Sequence, residues 1–192
     1  HTKLAPDAMV METNVITALN RLEKKEPAFD ATDPAYEVAM TSRKHTNVIA
    51  AGLYHSCWLQ DDGTVISFGD DNNKRLATDT WKDITAVSVC GQTLGLTKKG
   101  TVVATGSNQT GQLRVTGWKD IIDISAGERM SAGLTKEGRI VAGGSNEYSQ
   151  HAACSWEKII DVATSSKAVF GLTYDGKVLM AGKNDYAMLK SE

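Results

Sequence analysis

Four histidines, three cysteines and two short acidic runs are the residues of this 192-residue chain that could do chemistry. The histidines are His1, His45, His55 and His151, and the cysteines are Cys57, Cys90 and Cys154. They form neither His-Glu-x-x-His nor Cys-x-x-Cys, so the sequence predicts no metal site. His55 could act as a general base, but a base needs an oriented partner and a pocket, and a structural hydrogen-bonding role is expected for it instead. No Gly-x-Ser-x-Gly elbow occurs. Asp61-Asp62-Gly63 and Asp70-Asp71-Asn72-Asn73 could suggest calcium, yet the alternating ligands and closing Glu of a calcium loop are missing, and a plain hairpin turn is the better reading of the first. Gly106-Ser107-Asn108-Gln109-Thr110-Gly111 lacks the Gly-Lys-Ser/Thr ending of a phosphate loop. The expectation is a protein without catalytic residues, metal or cofactor, and not an enzyme.

The elements that carry these residues repeat. Leu59-Gln60-Asp61-Asp62-Gly63-Thr64-Val65-Ile66-Ser67-Phe68-Gly69 returns from Leu96 to Gly106, from Leu134 to Gly144 and from Leu172 to Gly182. The first glycine of each unit falls at 63, 100, 138 and 176, a period of 37 to 38 residues, which signals an array of supersecondary units. Val65-Ile66, Val102-Val103, Ile140-Val141 and Val178-Leu179 read as short strands bounded by glycines. The runs Ser56–Leu59, Thr93–Leu96, Ser131–Leu134 and Val169–Leu172 read as their hairpin partners, with Gly63, Gly100, Gly138 and Gly176 supplying the positive φ of the turn. A third strand is expected over Ile84–Val89, Ile121–Ala126 and Ile159–Thr164, opened by Trp81, Trp118 and Trp156. A further short edge segment near Gly111-Gln112-Leu113 would make three to four antiparallel strands per unit, the anatomy of a propeller blade. The three tryptophans at one repeat position are read as packing between units rather than as a sugar-stacking array.

Residues 1–44 differ. Ala8, Met11, Val15, Leu19 and Leu22 recur at helical spacing, Lys24 and Lys25 suit a last turn, and Pro27 lies just beyond. A second helix is expected from about Pro34, with Asp33 as its cap and Tyr36, Ala39 and Met40 on one face. The division is a helical lead-in over 1–44 followed by repeats over 45–192.

Trp118-Lys119-Asp120-Ile121, Ile124-Ser125-Ala126-Gly127 and Gly133-Leu134, with Thr101 to Asn108 and Gly111-Gln112-Leu113, resemble the unit of the regulator of chromosome condensation repeat family, in its short-repeat bacterial form. The resemblance covers residues from about 46 to 192. It implies an all-β protein, a β-propeller that usually has seven blades, here with four visible. The motif histidine survives only as His55, with Gln92, Met130 and Ala168 at the matching positions. Asp71 and Lys74 replace the Asn and Gly of the turn in the first unit. The next Trp would fall two residues past Glu192, so either a second copy closing the ring as a homodimer or further blades missing from this chain is expected.

In a propeller the loops ahead of each hairpin would cluster on one face around the axis. They carry Tyr54, His55, Gln92, Glu128, Arg129, Met130 and Lys167, which vary while the Gly and Leu framework does not, and Tyr and Arg are frequent interface anchors. These are the candidate partner-binding residues, and the expected function is a non-catalytic scaffold that presents propeller loops to a protein partner. One alternative is a carbohydrate- or ligand-binding surface module, against which Tyr54, Tyr148, Tyr174 and Tyr186 stand at different repeat positions. Another, implied by the resemblance, is an exchange-factor-like regulator of a small GTPase. The net charge of -2 gives no electrostatic reason for nucleic-acid binding. No apolar stretch approaches 18 residues, so no membrane insertion is expected. Three unpaired cysteines, each read as a buried thiol, favour a reducing, cytoplasmic compartment.

Overall fold

The computed structural model describes residues 48–184, and the helical hairpin expected over 1–44 lies outside them. Among the described residues, twelve strands form four separate three-stranded antiparallel sheets, each built from consecutive strands. The first holds β1 (Ile49–Ala51), β2 (His55–Leu59) and β3 (Val65–Gly69). The second holds β4 (Ile84–Val89), β5 (Gln92–Thr97) and β6 (Val102–Gly106). The third holds β7 (Ile121–Ala126), β8 (Met130–Thr135) and β9 (Ile140–Gly144), and the fourth β10 (Ile159–Thr164), β11 (Ala168–Thr173) and β12 (Val178–Gly182). These are blades 1 to 4 of a β-propeller. The hairpin turns are as the sequence predicts: Gly63, Gly100, Gly138 and Gly176 hold φ of 80°, 72°, 73° and 83°. The first three also tie blade to blade, because each carbonyl accepts the N–H of Ile84, Ile121 or Ile159 at the start of the following blade (2.9–3.0 Å).

The expected edge strand near Gly111-Gln112-Leu113 is instead a series of turns. The Leu113 N–H is given to the Asn108 side chain and the Arg114 and Val115 N–H groups to local carbonyls, so none remains for a ladder. In the third unit this segment is a short 3₁₀ helix, Gln150–Ser155.

Apolar burial lies between blades. Cys57, Leu59 and Val65 of blade 1 pack with Ile84, Val87 and Val89 of blade 2. Leu94, Leu96 and Val102 pack on Ile121 and Ile124, and Met130, Leu134 and Ile140 on Ile159, Val162 and Val169. Each packed residue alternates along its strand with one on the opposite face, so every internal blade is apolar on both sides. The tryptophans seal these interfaces. A Cβ at Gly95 would lie 2.8 Å from the Trp81 ring, and at Gly133 and Gly171 3.0 Å from Trp118 and Trp156. The central strand of each of these blades therefore carries glycine where the ring arrives. Cys57 and Cys90 are buried as expected, but Cys154 is exposed, because it rides on the outer surface of the 3₁₀ helix.

Candidate interaction face

The loops joining the first and second strands of each blade form one continuous row. Their backbones nest. A Cβ on Gly52 would touch Cys90 at 3.3 Å, one on Gly91 would meet the Glu128 carbonyl oxygen at 2.2 Å, and one on Gly127 the Ser165 carbonyl oxygen at 2.3 Å. The segment leaving the third strand closes under the same loop every time. The N–H of Asp70, Ser107, Ser145 and Lys183 donates to the carbonyl of Tyr54, Gly91, Arg129 and Lys167 respectively.

Within this row the seven sequence-based candidates separate. Tyr54, Arg129 and Lys167 are exposed and Glu128 is half-buried. His55, Gln92 and Met130 are buried, at 3%, 0% and 0% exposure, and present nothing to a partner. They are core residues and not the surface contacts that their loop positions suggest. They open the central strands, and their side chains turn toward the next blade.

The inward turn builds a hydrogen-bond ladder between units. His55 Nε2 lies 2.7 Å from Thr93 Oγ1, and the Thr93 hydroxyl donates to the Arg75 carbonyl (2.8 Å). Since that hydroxyl proton is committed, Thr93 accepts from an Nε2–H, which fixes the tautomer of His55 and leaves Nδ1 as a bare acceptor. One unit later Gln92 Nε2 donates to Ser131 Oγ (2.9 Å) and to the Met130 carbonyl (2.8 Å), and the Ser131 hydroxyl donates to the Gln112 carbonyl (2.9 Å). In the third unit both sides change together. Met130 faces an apolar partner, because Val169 stands where Thr93 and Ser131 stood, and the two pack in one cluster. Read with its partner, the loss of the motif histidine is a matched exchange of a polar pair for an apolar one. The signal was present at positions 93, 131 and 169.

A second position repeats with a similar exchange. Gln112 donates to Ser107 Oγ (3.3 Å) and to the Glu128 carbonyl (3.4 Å). Arg75 stands in its place in the first unit, and Asp70 in place of Ser107. Arg75 Nε donates to the Gly91 carbonyl (3.2 Å) and Nη1 pairs with Asp70 (3.0 Å). Its guanidinium stacks 4.7 Å from the centre of the Tyr54 ring. Tyr54, the most prominent aromatic of the row at 48% exposure, is thus held by a buried cation beneath it. The Asp70 carboxyl is held below its ordinary range, first by the Asn72 N–H, then against some desolvation by the Asn72 amide and Arg75. Burial, followed by the nearby Arg75 charge and opposed by Asp70, pushes His55 down to about 4. His55 is therefore neutral at neutral pH, and its Nδ1 has no hydrogen-bond partner among the described residues. Asp71 fills the Asn role expected to be lost: it accepts the Leu76 N–H at 3.0 Å, as Asn108 and Asn146 accept those of Leu113 and His151.

Among the described residues no group of three or more His, Cys, Asp or Glu side chains could hold a metal ion, and no helix is long and apolar enough to cross a membrane.

No protein-family model and no curated protein matches this sequence. Its fold is similar to solved propellers. Prp20p from Saccharomyces cerevisiae matches with a TM-score of 0.59 at 18% identity, over 72% of this chain and 44% of that one. Human WBSCR16 matches with 0.58 at 17%, over 70% and 46%. The ectodomain of the Physcomitrella patens receptor kinase CR4 matches with 0.57 at 17%, over 72% and 42%. The likeness establishes an RCC1-like propeller fold, and the chain spans less than half the length of each of these proteins.

Proposed function

We propose that this chain is a non-catalytic scaffold that binds a protein through the row of first loops, with Tyr54, Glu128, Arg129 and Lys167 as its contacts. The observation that carries this reading is the division of labour along the row. The side chains at His55, Gln92 and Met130 are consumed in locking blade to blade, and the residues beside them stand outward on a backbone that is already nested. Such a face is ordered before a partner arrives, so little conformational entropy is lost on binding. An aromatic ring stacked on a buried arginine, flanked by mixed charges, has the composition of a protein interface more than of a nucleic-acid one. Prp20p, which shares the fold, binds Gsp1p and histones, and Kap60 has been crystallised bound to it. These are precedents for the fold holding proteins, and they name no partner for this chain.

The test is affinity capture with the full chain and with a Tyr54→Ala, Arg129→Ala, Lys167→Ala variant. The expected outcome is loss, by tenfold or more, of a partner that the wild-type chain retains, with thermal stability changed little, since all three side chains are exposed. Equal capture by both proteins would move the binding surface elsewhere.

A further inference from the structure

The large exposed apolar surface of the described residues is concentrated on one side of blade 1. The register Ile49↔Trp58↔Ile66 and Ala51↔Ser56↔Phe68 puts these six residues on one face. Ile49, Trp58 and Phe68 are 70%, 49% and 56% exposed, and Val48 beside them 46%. The positions matching Ile49 in the other blades are Val87, Ile124 and Val162, at 0%, 3% and 6%, because a preceding blade covers each of them. Three large side chains in water on a face that is elsewhere an interior surface, with Val48 at its border, mark a covered site.

Trp58 decides what kind of cover fits. It occupies the position of Gly95, Gly133 and Gly171, each of which lies under the tryptophan of the unit before it. That slot is filled in blade 1 from its own strand, so an incoming tryptophan has no room. In step, the residue 37 positions before Trp81 is Lys44. The segment entering blade 1 is not of blade type, and what it does carry is the stripe Ala8, Met11, Val15, Leu19 and Leu22. We propose that this stripe lies across the Ile49–Trp58–Phe68 face as an N-terminal cap of the propeller array.

The dimensions agree. A helix from 8 to 22 is ~21 Å long at 1.5 Å per residue, against ~17 Å for a five-residue strand, so one helix covers the blade. The segment also enters at the right place: its last residues lead into Val48 and β1, which border the face. A stacked array needs a terminal element with a polar outer side, and Thr13, Thr17, Asn20 and Arg21 fall opposite the stripe at helical spacing. A second copy set against this face alone would bury three large side chains a side, short of the ~800 Å² per partner typical of a stable complex.

The full chain carrying Trp58→p-benzoylphenylalanine tests this by photocrosslinking at low concentration and peptide mass mapping. Crosslinks to residues 8–22 of the same chain are expected, and Val15→Glu with Leu19→Glu should abolish them. Crosslinked dimer, crosslinks confined to residues 48–184, or no crosslink would overturn the proposal. The same probe placed at Phe68 gives an independent reading should the Trp58 variant fail to fold.

Discussion

His55 shows how a single side chain can link pH to the joining of two blades. Its Nε2–H is given to Thr93, and burial, followed by the Arg75 charge and opposed by Asp70, holds it neutral in the folded protein down to about 4. The unfolded chain protonates near the ordinary value of 6.5. Between those values the unfolded state binds more protons, so this residue's contribution is complete above 6.5, falls as pH drops, and is lost below about 4. At roughly 1.4 kcal/mol per pKa unit the loss is at most about 3–4 kcal/mol. Urea midpoints of the wild type should therefore fall between pH 7 and pH 4.5, and His55→Gln, which copies Gln92, should flatten that fall. An equal pH dependence in both proteins would show that His55 is not the titrating group. The structural role of His55 was legible in the sequence because the residue sat at a repeat position without a catalytic neighbour. Its burial, and that of Gln92 and Met130, was not. A strand's first residue can point to solvent or to the next blade, and only the pairing with Thr93, Ser131 and Val169 decides it.

At the scale of the element, the unit is a three-stranded blade plus a turn segment ending in a tryptophan that crosses onto the next blade. The hairpins were readable because glycine has a distinct physical role at the turn and the flanking runs are β-branched. The last segment misled because Leu113 and Val115 look like strand residues, while Asn108 takes the Leu113 N–H and converts the chain to turns. Cys154 misled for the same reason, since a small residue in a repeat suggests burial and the 3₁₀ helix turns it outward. The tryptophan joint is testable on its own. Gly95 lacks positive φ, so Gly95→Ala adds no backbone strain, only a methyl 2.8 Å from the Trp81 ring. Overpacking of this kind costs about 1–3 kcal/mol. Chemical denaturation should show that loss, and Trp81→Leu in the same chain should recover part of it by making room. If Gly95→Ala is neutral in an otherwise unchanged protein, the ring does not seal the interface.

Across the described molecule, the substantial strand contacts between sheets run from each blade to the next. Stability in such an array is a sum of blades and nearest-neighbour interfaces, and cooperativity lasts only while the interface terms are strong. The loop row supplies part of each term. At the joint between blades 3 and 4, Gly127 lies so close to Ser165 that a Cβ would be 2.3 Å from its carbonyl oxygen. Backbone cannot move aside as a flexible side chain can, so Gly127→Ala must push the two blades apart at that end. The apolar cluster of Met130, Ile159, Val162 and Val169 below it would lose part of its packing, and the hydrogen bond from the Thr164 N–H to Ser125 Oγ (2.9 Å) would lengthen. The expected result is a broad or two-step urea transition, with blade 4 unfolding before blades 1 to 3 and a smaller denaturant slope for each step. Hydrogen exchange should show the amides of β10 to β12 losing protection while those of β4 to β6 keep theirs. A single sharp transition at a lower midpoint, with exchange raised evenly in all four blades, would instead mean that the array unfolds as one unit and that the loop row couples blades beyond nearest neighbours.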